Sequence, residues 1–307
     1  MVSIIILCYN QLSYTKQCLE SLFANTSQIR SEFEVIVVNN GSTDGTKEYL
    51  KPYEDDGRIR AIHNDYNAGF PKANNQAAAI AKGEYLCLLN NDTILTEGWL
   101  EKLLRCIRSD HTIAAVGPWT NHSSGHQRTD PAPNYRGPAE LKSFAARFSD
   151  EEKYVDFLVF FCVLIRRDVW DEIGGLSEKM GRGTWEDNLF CYRLLEKGYK
   201  MKVCGDAYIH HYGSKSFGQN DDPKKLKEFA SLMAENQKIF LREVDRYETV
   251  GLSMICSDSE KPETLRRSLE SVAQWVDSIN IVFNYKDYPK PWRVKKLLKV
   301  VEEFKNI

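Results

Sequence analysis

Four residues of types that do chemistry stand at turns or at the ends of apolar runs. Asp92 closes Leu88-Leu89-Asn90-Asn91-Asp92, Glu186 and Asp187 follow Trp185, and His211 sits in His210-His211-Tyr212-Gly213. A carboxylate placed after an apolar run can hold Mg2+ or Mn2+ against a diphosphate, because hard cations take oxygen ligands and need few from the protein. Such an ion neutralises charge on a leaving diphosphate. Asn90 and Asn91 can add amide contacts but no charge. One carboxylate of the Glu186-Asp187 pair can take the proton of an attacking hydroxyl, and histidine is a frequent metal ligand. Each residue also has an ordinary structural reading: an aspartate caps a helix, paired acids at a helix start favour its dipole, and a lone histidine packs in a core.

Three polar clusters follow apolar runs in the first seventy residues: Tyr9-Asn10, then Asn39-Asn40-Gly41-Ser42-Thr43-Asp44-Gly45, then Asn67-Ala68-Gly69-Phe70. Tyr9 can stack on or border a nucleobase, and Asn39 can hydrogen-bond a base edge. Glycines at 41 and 45 permit tight turns and close backbone approach. Taken singly, each cluster is plain turn chemistry. Three in register on one sheet edge favour a binding site. No Gly-Lys-Ser/Thr follows the glycines and no G-x-G-x-x-G opens the first helix, which argues against an NTPase and a dehydrogenase.

The elements that must position these residues alternate strand and helix. Residues 2–7 form a β-branched run suited to a strand covered on both faces. Helical spacing follows at 15–23, a strand at 35–38, a helix through Tyr49 and Leu50 capped by Asp44 or Thr43, a strand at 58–63, a helix at 72–81, a strand at 85–89 and a helix at 97–107. Repeated β-α units give an α/β fold with an open, mostly parallel sheet, whose ligands bind beyond the carboxyl ends of its strands. Residues 121–138 make a long polar loop of the kind that often carries function. The apolar run 155–165 reads as a buried strand, 185–195 as a helix, 200–204 and 207–210 as short strands, and 222–244 as a long charged helix.

The tail opens a second unit: a strand at 252–256, an amphipathic helix at 263–276 and a strand at 278–283. It repeats the start of the chain, with Leu269-Glu270-Ser271 matching Leu19-Glu20-Ser21, a modest internal-repeat signal. The expected organisation is a domain over 1–220, a helical linker over 221–247 and a partial second α/β unit over 248–307. Two strands and two helices are too few for an independent sheet domain, so the tail must pack on the first domain, pair with another chain or be the cut end of a longer protein, the last being the favoured reading.

The formal net charge of −2 over 307 residues gives no support for a nucleic-acid binder. None of the eight cysteines forms a C-x-x-C pair, and they read as reduced, buried thiols. No secretory signal opens the chain, and no apolar run approaches the roughly 20 residues of a membrane span. The expected location is cytoplasmic, with the inner face of the membrane as the alternative.

Together, V-S-I-I-I-L-C-Y-N, V-V-N-N-G-S-T-D-G-T, N-A-G-F, L-L-N-N-D-T, G-G-L-S-E, W-E-D-N-L-F-C-Y-R-L-L-E-K-G-Y and H-Y-G-x-x-S resemble the family 2 glycosyltransferases over roughly residues 1–217. The resemblance implies a GT-A (Rossmann-like) fold, a UDP- or dTDP-sugar donor, Mn2+ or Mg2+, and inversion at the anomeric carbon. It makes Asp92 the metal carboxylate of the D-x-D element, Asp187 the general base, Glu186 its neighbour, and His211 a metal or diphosphate contact. Tyr9 and Asn39 fall at base-contacting positions and Lys72 near the donor phosphates; Asp44, Asn67 and Asn91 complete the expected nucleotide-binding set. Two positions depart from the family: Asn39 stands where aspartate is usual, and Asn90-Asn91-Asp92 keeps one carboxylate. The stretch from Gly117 to Gly125 resembles members fused into long bacterial transferases. Such members modify cell-surface glycans or surface proteins such as flagellin, and a UDP-GlcNAc or UDP-hexose donor is expected here. A nucleotidyltransferase would want a Gly-rich loop with a basic residue after the first strand, and a non-catalytic module would not need both Asp92 and Asp187.

Overall fold

The computed structural model describes residues 1–26, 33–129, 133–213, 223–244, 251–257, 262–272 and 278–284. They fall into two compact units, Met1–Glu243 and Val244–Ile307. The first unit runs β1 (Val2–Cys8), α1 (Leu12–Asn25), β2 (Phe33–Asn40), α2 (Thr46–Asp55), β3 (Arg60–Asn64), α3 (Phe70–Ile80), β4 (Tyr85–Asn90), β5 (Thr93–Ile94), α4 (Trp99–Arg108), β6 (Ile113–Trp119), α5 (Pro138–Arg147), β7 (Lys153–Val155), β8 (Cys162–Arg166), α6 (Arg167–Ile173), α7 (Glu186–Glu196), β9 (Lys200–Tyr208), β10 (His210–His211) and α8 (Pro223–Val244).

Its main sheet has the order β3-β2-β1-β4-β8-β6-β9-β7. The neighbours β1–β2, β1–β4, β2–β3 and β6–β9 are parallel. β8 runs antiparallel to both β4 and β6, and β7 antiparallel to β9. The pleat sends alternate side chains to opposite faces. Ile4 and Ile6 therefore meet Leu19, Leu22, Trp99 and Leu103 in one core. Ile5 joins Ile36, Val38, Ala73, Ala77, Leu86 and Leu88 in the other. Both faces of β1 are buried, as its unbroken apolar run requires.

The run 155–165 is not one strand. β7 ends at Val155 and β8 begins at Cys162; the residues between carry Phe157, Val159 and Phe161 across the sheet edge into a cavity. Apolar character here serves a cavity wall, which periodicity cannot distinguish from a strand. The two short strands expected over 200–210 are a single β9, whose pairing with β6 shifts register between Pro118 and Trp119, followed by β10. The start of α2 also differs: Gly45 (φ 85°) is its N-cap, and the Asp44 carboxylate accepts from the Thr46 hydroxyl at 2.6 Å.

α8 belongs to the first unit, where its Asn236 is buried against loop carbonyls. The expected boundary at 220 lies outside the described residues, as do 273–277 and 285–307. In the second unit β11 (Gly251–Ser257), α9 (Pro262–Val272) and β12 (Ser278–Asn284) form a parallel strand–helix–strand, the same arrangement as β1-α1-β2. The repeated leucine has one job in both: Leu19 is 0% exposed and Leu269 is 1%. No helix of the described residues is long and apolar enough to cross a membrane.

Because the first unit has its own two-faced core, a chain of residues 1–247 is expected to fold alone. Circular dichroism of that truncation should give a single cooperative thermal transition. A broad, non-cooperative melt would show that residues 248–307 are needed for the fold.

Candidate active site

A cavity of about 530 Å³ opens at the carboxyl edge of the sheet. Tyr9, Asn40 and Asn67 line it from the ends of β1 and β2 and the start of α3, and Asn91 and Asp92 from the end of β4. His211 comes from β10, and Arg182, Thr184, Trp185, Glu186 and Asp187 from the loop into α7.

Side-chain hydrogen bonds fix the loops that present these residues. After β1 the chain turns through Asn10 and Gln11, both left-handed (φ 53° and 63°). The turn is tied to the loop after β2: Asn10 Oδ1 accepts from Thr43 N at 2.8 Å, and Asn10 N donates to Ser42 Oγ at 2.8 Å. Asp44 Oδ2 accepts from Leu12 N at 2.8 Å. Burial alone would raise the Asp44 carboxyl, but the hydrogen bonds from Thr46 and Leu12 outweigh it and hold it below the usual range. Asp44 thus ties two helix starts together and is not part of the cavity wall. Asn39 is also turned away from the cavity. Its Oδ1 accepts from Ser42 N at 3.1 Å and its Nδ2 lies 3.3 Å from His63 Nδ1. The next residue, Asn40, lines the cavity; its Oδ1 accepts from Ala68 N at 3.0 Å and its Nδ2 donates to Asn67 Oδ1 at 2.9 Å. Lys72 reaches Tyr66 Oη at 3.5 Å and stays outside the lining.

Asp92 and His211 come together because β5 and β10 pair antiparallel, Thr93 opposite His211. Tyr212 N also donates to Asp92 O at 2.9 Å. The Asn121 amide pairs with the His211 backbone in both directions, at 2.9 and 3.0 Å. His211 stacks on Phe161, with ring centroids 4.8 Å apart and planes at 14°. His211 Nδ1 lies 2.8 Å from His122 O, a carbonyl that can only accept, so Nδ1 carries the proton. In the neutral ring Nε2 then presents a lone pair, which is buried without a hydrogen bond and lies 3.3 Å from Asp92 Oδ1. Two lone-pair atoms at that spacing fit adjacent ligands of one cation, since bonds of ~2.1 Å at right angles span about 3 Å. No group of three His, Cys, Asp or Glu with metal-site geometry exists among the described residues.

Glu186 and Asp187 open α7. Glu186 is 7% exposed, and its Oε2 has no hydrogen-bond partner. Burial, then the neighbouring Asp187 charge, pushes the Glu186 carboxyl up to about 8. Burial pushes Asp187 up to about 6, against the pull of backbone amides such as that of Asn188 at 2.9 Å. The buried Trp185 Nε1 is likewise without a partner. The loop is packed hard on α3: Phe70 N donates to Arg182 O at 3.1 Å, and a Cβ at Gly69 (φ 86°) would lie 2.0 Å from Gly181 O. Glycine at 69 is therefore required by both conformation and space.

The profile of "Glycosyl transferase family 2" matches residues 3–174, more than half of the chain. The chain belongs to this family. It is 28% identical to the chondroitin synthase of Pasteurella multocida (strain Pm70) over 251 residues, 80% of this chain and 24% of that protein. Among solved structures, this family 2 glycosyltransferase superposes on GalNAc-T7 with UDP, GalNAc and Mn2+ with a TM-score of 0.56 at 17% identity, over 69% of this chain and 43% of that one. The mannosyltransferase PcManGT from Pyrobaculum calidifontis, in complex with GDP-Man and Mn2+, gives 0.52 at 14% identity, over 99% of this chain and 86% of that one. Both share its GT-A fold. The chain spans 24% to 40% of the length of the curated relatives it matches first.

Of the residues singled out in the sequence, the fold thus gathers Tyr9, Asn67, Asn91, Asp92, Glu186, Asp187 and His211 around one cavity and leaves Asn39, Asp44 and Lys72 outside its lining. The lining also includes Ser124, from the long polar loop, and residues with no sequence signal of their own: Phe157, Val159 and Phe161, Arg182 and Thr184, and Phe229 and Met233 from α8. Trp185 was visible as the residue before the acidic pair. Its aromatic N–H could have marked it as a recognition group.

The raised carboxyls link stability to pH. A carboxyl whose folded-state value is raised adds stability that is fully present below its unfolded value and is lost as pH rises through the folded one. For Glu186 the window runs from 4.5 to about 8 and for Asp187 from 3.8 to about 6. The melting temperature is therefore expected to fall across pH 5–8. Glu186→Gln should flatten that fall and be more stable than the wild type at pH 8 by on the order of 1–3 kcal/mol. Scanning calorimetry across the range checks it; parallel curves for the two proteins would contradict a buried, costly carboxylate at 186.

Proposed function

We propose that this chain is an inverting glycosyltransferase that moves a sugar from a nucleoside diphosphate donor to an acceptor hydroxyl. The observation that carries the reading is a single cavity holding both a cation edge, Asp92 with His211, and a raised carboxylate, Asp187. Family membership supports the reaction class. Mn2+ or Mg2+ bound there would neutralise charge on the leaving diphosphate. Asp187 takes the proton of the acceptor hydroxyl as that oxygen bonds to the anomeric carbon. The carbon–phosphate oxygen bond breaks on the other side, which inverts the centre.

Tyr9, Asn40 and Asn67 form the wall assigned to the nucleoside, with Asn91 towards the phosphates. Asn39 and Asp44, expected as direct contacts, act there through the turns they hold. Besides His211 Nε2, two polar atoms of the lining lack a partner, Trp185 Nε1–H and Glu186 Oε2, and they offer one donor and one acceptor to sugar hydroxyls. UDP-GlcNAc or another UDP-hexose is the proposed donor. The proposed acceptor is a bacterial cell-surface glycan or a surface protein such as flagellin, met on the cytoplasmic side where nucleotide sugars are made. Free buried thiols fit that compartment. Residues 248–307 are read as a partial second α/β unit, in keeping with the parallel β11-α9-β12 unit.

The reading is tested with a panel of UDP-, dTDP- and GDP-sugars, with and without Mn2+, followed by nucleotide release. One donor should be slowly turned over with Mn2+ present; binding of every nucleotide without turnover would sink the enzyme reading. In the active pair, Asp187→Asn should lose about 10²–10⁴ in rate while UDP affinity stays within a few-fold. The wild-type rate should rise with pH through about 6, the value to which burial pushes Asp187, and then level off. Retention of a tenth of the activity by Asp187→Asn would remove it as the base. Asp92→Ala should abolish the effect of Mn2+ on UDP binding measured by calorimetry, and an undiminished effect would place the ion elsewhere.

A further inference from the structure

Residues 229, 233, 236, 240 and 243 of α8 are spaced four, three, four and three apart, so one side of the helix presents them together. Phe229 and Met233 line the cavity. The Phe240 ring lies 5.1 Å from that of Trp185, and Glu243 pairs with Lys179 and, at 3.2 Å, with Arg193. At the centre of this face stands Asn236. It is 3% exposed, the one fully buried side chain of the 22-residue helix.

An amphipathic helix ordinarily places an apolar residue at its most buried position, and an amide is costly there unless it is hydrogen-bonded. Asn236 Nδ2 lies 2.7 Å from Gly183 O, 2.8 Å from Met180 O, and 3.1 Å from both Thr184 O and Thr184 Oγ1. Its two hydrogens serve the two shorter contacts and are shared with the longer ones. All of these acceptors belong to the loop that enters α7, which is strained. Gly181 and Gly183 have φ of 56° and 120°, and Thr184 and Trp185, which are not glycine, have 81° and 66°. Such residues persist only where their surroundings over-determine them.

We propose that Asn236 is a positioning residue for the transfer step: its amide holds the 180–185 loop in the strained form that brings Asp187 to the cavity wall. This rests on Asp187 serving as the base. α8 lies beyond the residues matched by the family profile, and on this assignment it is a working part of the active site.

The test uses Asn236→Ala and Asn236→Asp in the full chain. Nucleotide release is measured with Mn2+ and the donor selected by the panel above, starting with UDP-GlcNAc; UDP affinity comes from calorimetry and loop order from amide hydrogen exchange. Asn236→Ala should lower kcat about 10–100-fold, leave KM and UDP affinity within a few-fold, and speed exchange at residues 180–188 while β1–β4 stay protected. Asn236→Asp has the same shape but loses the donor, and should be as impaired as Asn236→Ala. Its stability deficit against wild type should shrink as pH falls, when its carboxyl gains a proton that it can donate. Unchanged kcat with a loosened loop would overturn the proposal. So would a joint loss of UDP affinity and of protection across the sheet, the mark of a purely structural residue. If Asp187→Asn stays active while Asn236→Ala loses kcat, the base assignment falls and the positioning of the loop stands.

Discussion

Irregular backbone at the edge of a sheet carries N–H and C=O groups that the ladder no longer pairs, and where it is buried every one of them needs a partner. In this protein asparagine meets that requirement repeatedly. Its side chain offers the donor and acceptor of a peptide unit, so it can pair with a backbone as a strand would. Asn121 pairs with His211 in both directions, and Asn75 does the same with Leu176, at 2.9 and 3.0 Å. Asn10 and Asn40 join neighbouring loops, and Asn236 gathers the carbonyls before α7. Asp92 sits in the turn after β4, Glu186 and Asp187 open α7 and His211 lies on β10, and the irregular backbone around them is held by contacts as directional as those of the sheet.

The site stores unfavourable free energy in two forms. Of two adjacent carboxyls, Glu186 is buried with one oxygen lacking a hydrogen bond and Asp187 is half-buried, and two non-glycine residues hold left-handed conformations immediately before them. Neither feature helps the chain fold. The two-faced core around β1, β2 and β4, with Ile4, Ile5, Ile6, Ile36 and Leu86 fully buried, supplies the stability that offsets them. Strain held at a site by a well-packed scaffold is a common pattern where function selects the geometry.

The scaffold was legible because its signals are local. The apolar run of β1, the glycines after β2 and the acid at the end of β4 each declare an element or its end, and the right-handed logic of β-α units brings those ends to one edge. Asp92 and His211 are 119 residues apart, and only the β5–β10 pairing, two residues long on each side, puts them in contact. The order of the motifs along the chain suggested their meeting; periodicity could not. Asn39 and Asp44 lie outside the cavity lining, and the sequence could not tell this because asparagine and aspartate look alike whether they face a cavity or hold a turn. Helix α8 was taken for a connector because its composition is charged and its contacts are long-range. A single buried asparagine on a charged helix was the available signal, and it is legible only once the face it shares with Phe229, Met233, Phe240 and Glu243 is known.

The cysteines carry a consequence of their own. Cys8, Cys18, Cys87, Cys106, Cys162, Cys191 and Cys204 are free and buried, one each in β1, α1, β4, α4, β8, α7 and β9. Burial pushes Cys8 and Cys18 up to about 12, so they remain thiols and not the reactive thiolates. A thiol reagent can reach any of the seven only when the element that covers it opens. The molecule therefore carries its own set of clocks, and the rate at which each sulfur is labelled in the native protein measures how often that layer of the fold comes apart.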